Sequence, residues 1–262
     1  ISRIFFKKYL TWGETYLFSL FGFATHGLLD ACTSYGTQLF WPFSDDRISW
    51  NYISVVDPFL TIPVILTIIF TILMKNKLIS IFGIFYIAVY LSFGAFQENR
   101  AEKAGQAISN LRGHVSKNLT VKPSLGNLFL WKTIYEFDDF YYVDAVRLFY
   151  TSEFCKGTII KKLDLSNEFL ALNKKSQQFK DIKRFEWFSQ GYLGKKIDSN
   201  IITDVRYSAV PNEVDGLWGI EINQKKDDNE HVDWVVNRSN YTKKWERFLD
   251  LLLGKNCQHL FI

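Results

Sequence analysis

The chain has 262 residues, of which 17% are aromatic and 22% are charged, and its formal net charge is +4. This length allows one or two domains with a sizeable core. The positive excess lies in residues 100–262, which hold 25 basic and 21 acidic side chains, and a surplus so small and so dispersed argues against a nucleic-acid-binding protein.

Three apolar segments near the start of the chain are candidates for membrane spans. The first, residues 9–31, is the weakest because it contains three ionisable side chains. Residues 53–74 carry one charge near their start, and residues 78–96 carry none. About 20 apolar residues cross a bilayer core, and the short connection KNK makes the last two an antiparallel hairpin. The alternative is a set of core helices in a soluble protein.

Basic side chains near the span ends predict an orientation in the membrane. They precede the first span and occupy the hairpin turn: Arg3, Lys7, Lys8, Lys75 and Lys77. If both clusters face the cytoplasm, the loop 32–52 and the chain beyond residue 97 lie outside. We therefore expect a membrane protein, with the lipid bilayer as its partner and an extracytoplasmic C-terminal domain.

The remainder of the chain predicts a different kind of structure. Residues 1–99 are expected to form an α-helical membrane region, and residues 100–262 an α+β domain built on antiparallel strands. Residues 97–118 are polar and predict a helix that leaves the membrane. Aromatic and β-branched residues predict a hairpin of 127–136 and 140–150 around FDD. Further strands are predicted at 201–208, 216–223 and 231–237, and helices at 177–191 and 241–253.

Cysteine usage adds little to this prediction. The three cysteines, Cys32, Cys155 and Cys257, define no disulfide framework. A Cys155–Cys257 bridge is compatible with an oxidising compartment, but the sequence does not require it. No Cys-x-x-Cys zinc pattern occurs.

The histidines and tryptophans of the second region are interpreted as structural. His231 and Asp233 alternate on a predicted strand and are expected to form a solvated face. The strand tryptophans are expected to be core residues rather than ligand platforms; they are Trp131, Trp218 and Trp234.

His26 and Asp30 form the most unusual pair of the apolar first segment. Residues four apart on a helix share a face, with β-carbons roughly 6 Å apart. A neutral imidazole and a carboxylate both suit Zn²⁺ or a similar divalent ion, and a metal would offset the cost of ionisable groups beside a membrane. The alternative is a His–Asp hydrogen bond that joins two helices.

Four short motifs follow one another over residues 24–60. They are His26-Gly-Leu-Leu-Asp30, Thr33-Ser-Tyr-Gly-Thr37, Trp41-Pro-Phe-Ser44 and Val56-Asp57-Pro58. Their order and spacing resemble the YdjM-type family of membrane-bound, metal-dependent hydrolases. A looser similarity continues at residues 121–149. The resemblance implies a location in the bacterial inner membrane.

This resemblance implies that His26 and Asp30 are ligands of a divalent metal, with zinc as the expected ion, in a site distantly similar to those of zinc phospholipase C and P1-type nucleases. Members of the family normally carry an upstream half with Pro-Asp and His-Arg…Thr-His-Ser motifs. Neither motif occurs here, and the chain begins with Ile1 and has Met74 as its one methionine. We therefore expect a processed or partial chain with an incomplete metal site.

The implied activity is metal-dependent hydrolysis of a phosphoester or lipid-like substrate. The ion would lower the pKa of a bound water and polarise the substrate oxygen. Asp57 is the candidate catalytic residue that orients this water; alternatively, it caps the helix that begins at Pro58. The candidate substrate-binding residues are Ser34, Tyr35, Trp41 and Arg47, with Arg47 holding an anionic group.

Two residues and one domain also have non-catalytic interpretations. Trp41 and Trp50 are typical of anchors at the membrane interface. The membrane region as a whole is alternatively a non-enzymatic anchor that presents the C-terminal domain to a protein partner.

Overall fold

The computed structural model describes residues 10–169, 172–196, 199–237 and 240–260. The chain divides into two compact units, Ile1–Ala95 and Phe96–Ile262. Three long helices come first: α1 (Trp12–Cys32), α2 (Pro58–Met74) and α3 (Lys77–Leu111). Helices followed by a domain with an antiparallel sheet confirm the predicted fold class.

Helix α1 has a defined start and a defined end. Thr11 is its N-cap and forms a capping box with Glu14, in which each side chain accepts a hydrogen bond from the backbone N–H of the other residue. At the other end Thr33 adopts an extended conformation, and its N–H and hydroxyl both donate to the carbonyl of Asp30. The apolar segment predicted at residues 9–31 is therefore a helix; its residue 9 lies outside the described residues.

Helices α2 and α3 form the predicted hairpin. Helix α2 starts one residue after Asp57, with Pro58 at its first position, where a missing N–H costs nothing. The turn uses Lys75 in the left-handed conformation. Beside the turn the Ser80 hydroxyl donates to Thr71 Oγ1 at 3.2 Å, which links the two helices.

The predicted spans form helices that differ in length and apolar character. Within the described ranges, Lys77–Leu111 alone is long and apolar enough to qualify as a membrane span, whereas Pro58–Met74 is a shorter apolar helix of 17 residues. Helix α2 is thus shorter than the predicted span of 53–74, because it begins at Pro58, after its N-cap Asp57. Helix α3, by contrast, continues through the polar residues 97–111.

A nine-stranded antiparallel sheet occupies the second unit. Its strands are β1 (Lys117–Pro123), β2 (Leu130–Phe137), β3 (Phe140–Leu148), β4 (Ser152–Lys162), β5 (Leu193–Lys195), β6 (Ile201–Asp204), β7 (Trp218–Glu221), β8 (Asp233–Val236) and β9 (Gln258–Leu260). Strands β1 to β8 are neighbours in chain order, and β9 pairs with β4. Strand β4 is the branching point, because β9 pairs with its beginning and β5 with its end.

Helices cover parts of this sheet. They are α4 (Leu165–Glu168), α5 (Gln177–Phe188) and α6 (Tyr241–Leu252). Ile182 and Phe185 of α5 pack in one buried cluster with Ile202 and Ile220 of the sheet. A second cluster joins Leu130, Ala145, Cys155, Val210, Phe248 and Leu251, which connects α6 to β2, β3 and β4. Each cluster fixes one helix against a different part of the sheet.

A disulfide bond reinforces the second cluster. Cys155 on β4 is bonded to Cys257, which directly precedes β9, across a sequence separation of 102 residues. Cys32 is a free, buried thiol. The Cys155–Cys257 bridge, which the sequence neither required nor excluded, is therefore formed.

Most predicted elements of the second unit are present. The hairpin is confirmed as β2 and β3, with Phe137 paired to Phe140 across the turn. The later strands and both helices are confirmed with shorter bounds, as β6, β7, β8, α5 and α6. Four strands were not predicted: β1, β4, β5 and β9.

Two side-chain interpretations in this unit need correction. His231 lies ahead of β8 rather than on it, and its Nδ1 is 2.8 Å from Asp181 Oδ2 on α5. Trp131 is fully buried, as expected, but Trp234 is 58% exposed and is not a core residue. Both departures concern one part of the surface, beside α5.

Candidate functional site

His26 and Asp30 lie on the last two turns of α1 and share one face. His26 Nε2 is 3.5 Å from Asp30 Oδ2, and the two side chains are 72% and 45% exposed. Four residues of helix separate them, which accounts for the convergence. The pair is an open, solvent-accessible arrangement of one imidazole and one carboxylate, and its geometry fits two donors directed to a common point.

The loop that follows folds back onto the end of α1. Ala31 accepts a hydrogen bond from the N–H of Trp50, and Thr33 forms a parallel bridge with Ile53. Asp57 is only four residues beyond Ile53, so their Cα atoms are at most about 14 Å apart. The backbone therefore brings the end of α1 and the start of α2 to one end of this unit.

Arg47 forms contacts that stabilise this loop. Its Nη2 donates to the carbonyls of Tyr35 and Gly36, and its guanidinium lies 5.1 Å from the centre of the Tyr35 ring. Gly36 has φ +80°, and a β-carbon there would be 2.9 Å from the carbonyl oxygen of Ile48. Only glycine accommodates this turn, and Arg47 has a structural role in it.

The remaining candidate substrate-binding residues differ in exposure. Ser34 is buried, and its N–H donates to the carbonyl of Ile53. Trp41 is 67% exposed and has exposed aromatic neighbours, Phe40 and Phe43. Trp50 is less exposed and stacks on Tyr52 with ring centres 5.9 Å apart. Exposed aromatic side chains at this end of the unit fit anchoring at a membrane interface.

Asp57 is a buried helix cap. Its Oδ1 accepts from the N–H of Leu60 at 3.2 Å, and the hydroxyl of Tyr90 lies 2.9 Å from both carboxylate oxygens. The side chain is only 4% exposed. These contacts support the capping role of Asp57, and they supply a partner, Tyr90, that the sequence reasoning missed. Local sequence does not distinguish Tyr90 from Tyr86, which lies one turn earlier on α3.

His26 and Asp30 do not by themselves form a catalytic zinc site. Such a site has three protein ligands and one open position, and His26 with Asp30 supplies two. In the described part of the chain, no group of three or more His, Cys, Asp or Glu side chains is placed to hold a metal ion. The pair thus fits part of a metal site only.

Comparison with known proteins agrees with the membrane assignment of this unit. The sequence of residues 1–101 matches a protein family described as YdjM inner membrane protein. This match confirms the resemblance carried by the four motifs, and it identifies the N-terminal region as similar to inner membrane proteins. No curated protein and no solved structure matches the chain.

Proposed function

We propose that the N-terminal region, which is similar to YdjM inner membrane proteins, is a membrane anchor. It holds residues 96–262 at the membrane as an extracytoplasmic binding domain. The observation that carries this proposal is the Cys155–Cys257 disulfide. Disulfides persist in oxidising compartments such as the bacterial periplasm and are rare in the cytosol. A domain with its own buried clusters and a disulfide is suited to binding outside the cytoplasm.

The charges of the α2–α3 turn support the same orientation. Lys75 and Lys77 flank Asn76 in this turn, and short cytoplasmic loops carry an excess of such residues. A cytoplasmic turn sends α3 outward, so residues beyond Leu111 follow on the outer side.

Cysteine labelling in intact cells tests this orientation. Lys225→Cys and Asn76→Cys introduce thiols at two exposed positions in a Cys32→Ser background. A membrane-impermeant maleimide should label position 225 in intact spheroplasts and position 76 only after permeabilisation. The reverse pattern would place residues 96–262 in the cytoplasm and reject the proposal.

A metal-dependent hydrolase is a second candidate, and a specific observation favours it. His26 and Asp30 converge to 3.5 Å within the region that matches the family model. In this proposal they are two of the ligands of a divalent-ion site. The substrate is a phosphoester or lipid-like molecule at the membrane surface.

Metal content and hydrolysis distinguish the two candidates. The protein is purified from its own membrane as wild type, His26→Ala and His259→Ala, the last an exposed histidine of β9 that serves as control. The hydrolase predicts stoichiometric metal in wild type and the control, loss of metal in His26→Ala, and phosphodiesterase or phospholipase activity that follows the metal. Equal, sub-stoichiometric metal in all three proteins without hydrolysis would reject the hydrolase and leave the anchor as the remaining candidate.

A further inference from the structure

An open cavity lies between α5 and β8, on the surface that contains His231 and Trp234. Its volume is about 320 Å³, at the small end of the range of ligand sites. Its apolar lining includes Phe185, Phe188, Ile220 and Trp234. The Trp234 and Phe185 rings meet edge to face at 6.0 Å between centres, and Trp234 remains 58% exposed. A large aromatic surface is therefore available to a ligand.

Three ionisable side chains line the same cavity: Asp181, Arg184 and His231. Asp181 is already engaged, because Oδ1 accepts from the Gln177 amide and Oδ2 from His231 Nδ1. Burial would raise the pKa of Asp181, but hydrogen bonds from Gln177 and His231 lower it below its usual value. The carboxylate thus stays ionised and holds the imidazole in place, so that Asp181 and His231 form a hydrogen-bonded wall of the cavity.

Arg184 supplies the uncompensated charge. Within the described residues its guanidinium has no ion pair or hydrogen bond, although it is exposed on α5 beside the apolar lining. Its neighbour Lys183, by contrast, is paired with Glu186 at 2.7 Å. A guanidinium binds carboxylate and phosphate oxygens in a bidentate manner.

We propose that this cavity binds a small amphiphilic ligand, with its oxyanion on Arg184 and its aromatic or branched apolar body against Trp234 and Phe185. The proposal specifies a ligand for the domain that the proposed function places outside the cytoplasm. We expect an anion rather than a cation. Asp181 already accepts hydrogen bonds from Gln177 and His231, whereas Arg184 has no partner among the described residues. The oxyanion is a carboxylate or a phosphate, which share this chemistry.

Binding is tested with the full chain in lipid nanodiscs, with empty nanodiscs as blank. The probes are 4-phenylbutyrate, phenyl phosphate and 4-phenylbutylamine, followed by saturation-transfer difference NMR. We expect saturable binding of at least one oxyanion and none of the amine. Arg184→Gln should weaken that binding at least tenfold, whereas Lys183→Gln, which removes the adjacent charge of the same helix, should change it less than twofold. Trp234→Ala should also weaken it.

Equal binding of the amine, no saturable binding of either oxyanion, or an unchanged affinity in Arg184→Gln would overturn the proposal. Arg184 and Lys183 are exposed, so both variants should retain the fold, and circular dichroism checks this. Both faces of a nanodisc are open to the probes. The result therefore does not depend on the orientation of the domain, and failure here is distinguishable from failure of the labelling experiment.

Discussion

Lys132 shows how one buried residue makes the stability of the second unit depend on pH. It lies on β2 with a side chain only 4% exposed, and its Nζ donates to Ser208 Oγ and to the backbone carbonyl of Glu213, both at 2.8 Å. Burial lowers the pKa of Lys132 to about 7, against the raising effect of Asp204 and Glu213. Between pH 7 and the usual pKa of lysine, the unfolded chain therefore binds a proton that the folded chain does not.

This difference predicts that the wild type becomes more stable as the pH rises above 7. The contribution of Lys132 to the free energy of unfolding should increase by about 2 kcal/mol between pH 7 and pH 9. Well below pH 7 both states are protonated, so its contribution is constant there. Lys132→Met should remove this increase. Urea unfolding of the full chain in detergent micelles, at both pH values, measures it.

Lys180→Met is the matched control, because Lys180 is exposed on α5. This variant should retain the pH dependence of the wild type. Parallel profiles for the wild type and Lys132→Met would show that Lys132 titrates with an ordinary pKa in the folded protein.

At the scale of elements, the first unit depends on a few close contacts between helices and loops. Gly94 on α3 illustrates this, since a β-carbon there would be 2.3 Å from the carbonyl oxygen of Tyr52. Gly22 on α1 has no atom within 4 Å of the same position. Two helical glycines therefore differ in what an added methyl group would contact.

The same substitution should have opposite effects at these glycines. Alanine gains about 1 kcal/mol over glycine in a helix interior, so Gly22→Ala should be neutral or stabilising. Gly94→Ala should be destabilising, because the loop carbonyl must move. Thermal stability in detergent, followed by size-exclusion chromatography, gives the comparison. A Gly94→Ala protein that is as stable as Gly22→Ala would contradict the contact.

The start of α2 offers a test of capping against catalysis. Asp57→Ala removes the acceptor for Leu60 and Tyr90 and should cost about 1–2 kcal/mol. Asp57→Asn keeps a capping oxygen and should cost much less. Thermal unfolding of both variants measures the cap. If the protein proves to be a hydrolase, an inactive but fully stable Asp57→Asn would assign Asp57 to catalysis instead.

Sequence patterns predicted elements that carry their own local signal. The β2–β3 hairpin has aromatic and β-branched strands around a turn, and α2 has Asp-Pro at its start. Strands β5 and β9 have three residues each, and such short segments become strands only through their pairing partners. The His26–Asp30 pair was predictable from helical spacing. The cavity was not, because Arg184 and Trp234 are brought together by tertiary structure.

For the whole molecule, the disulfide joins two residues of the second unit that lie far apart in the sequence. A bridge across 102 residues restricts the unfolded chain strongly, and it joins β4 to the residue before β9. The stability of this unit is therefore coupled to the compartment in which the protein folds.

Removing the bridge should destabilise the second unit substantially. The double variant Cys155→Ala/Cys257→Ala should lose about 3–5 kcal/mol of unfolding free energy. Urea unfolding in detergent measures this loss, and dithiothreitol should bring the wild type to a similar midpoint. Cys32→Ala is the control, since Cys32 is not bridged. Identical midpoints with and without reductant would show that the bridge is absent from the native protein.

The branched pairing of β4 has a consequence for biosynthesis. Its first residues, Ser152–Phe154, pair with Leu260 to Gln258, about a hundred positions later in the chain. Until that segment has emerged from the ribosome and crossed the membrane in the proposed orientation, this part of β4 is an open sheet edge, which is prone to pairing with other chains. In that orientation Cys257 also reaches Cys155 last, so the bridge can close only after nearly the whole second unit has crossed the membrane.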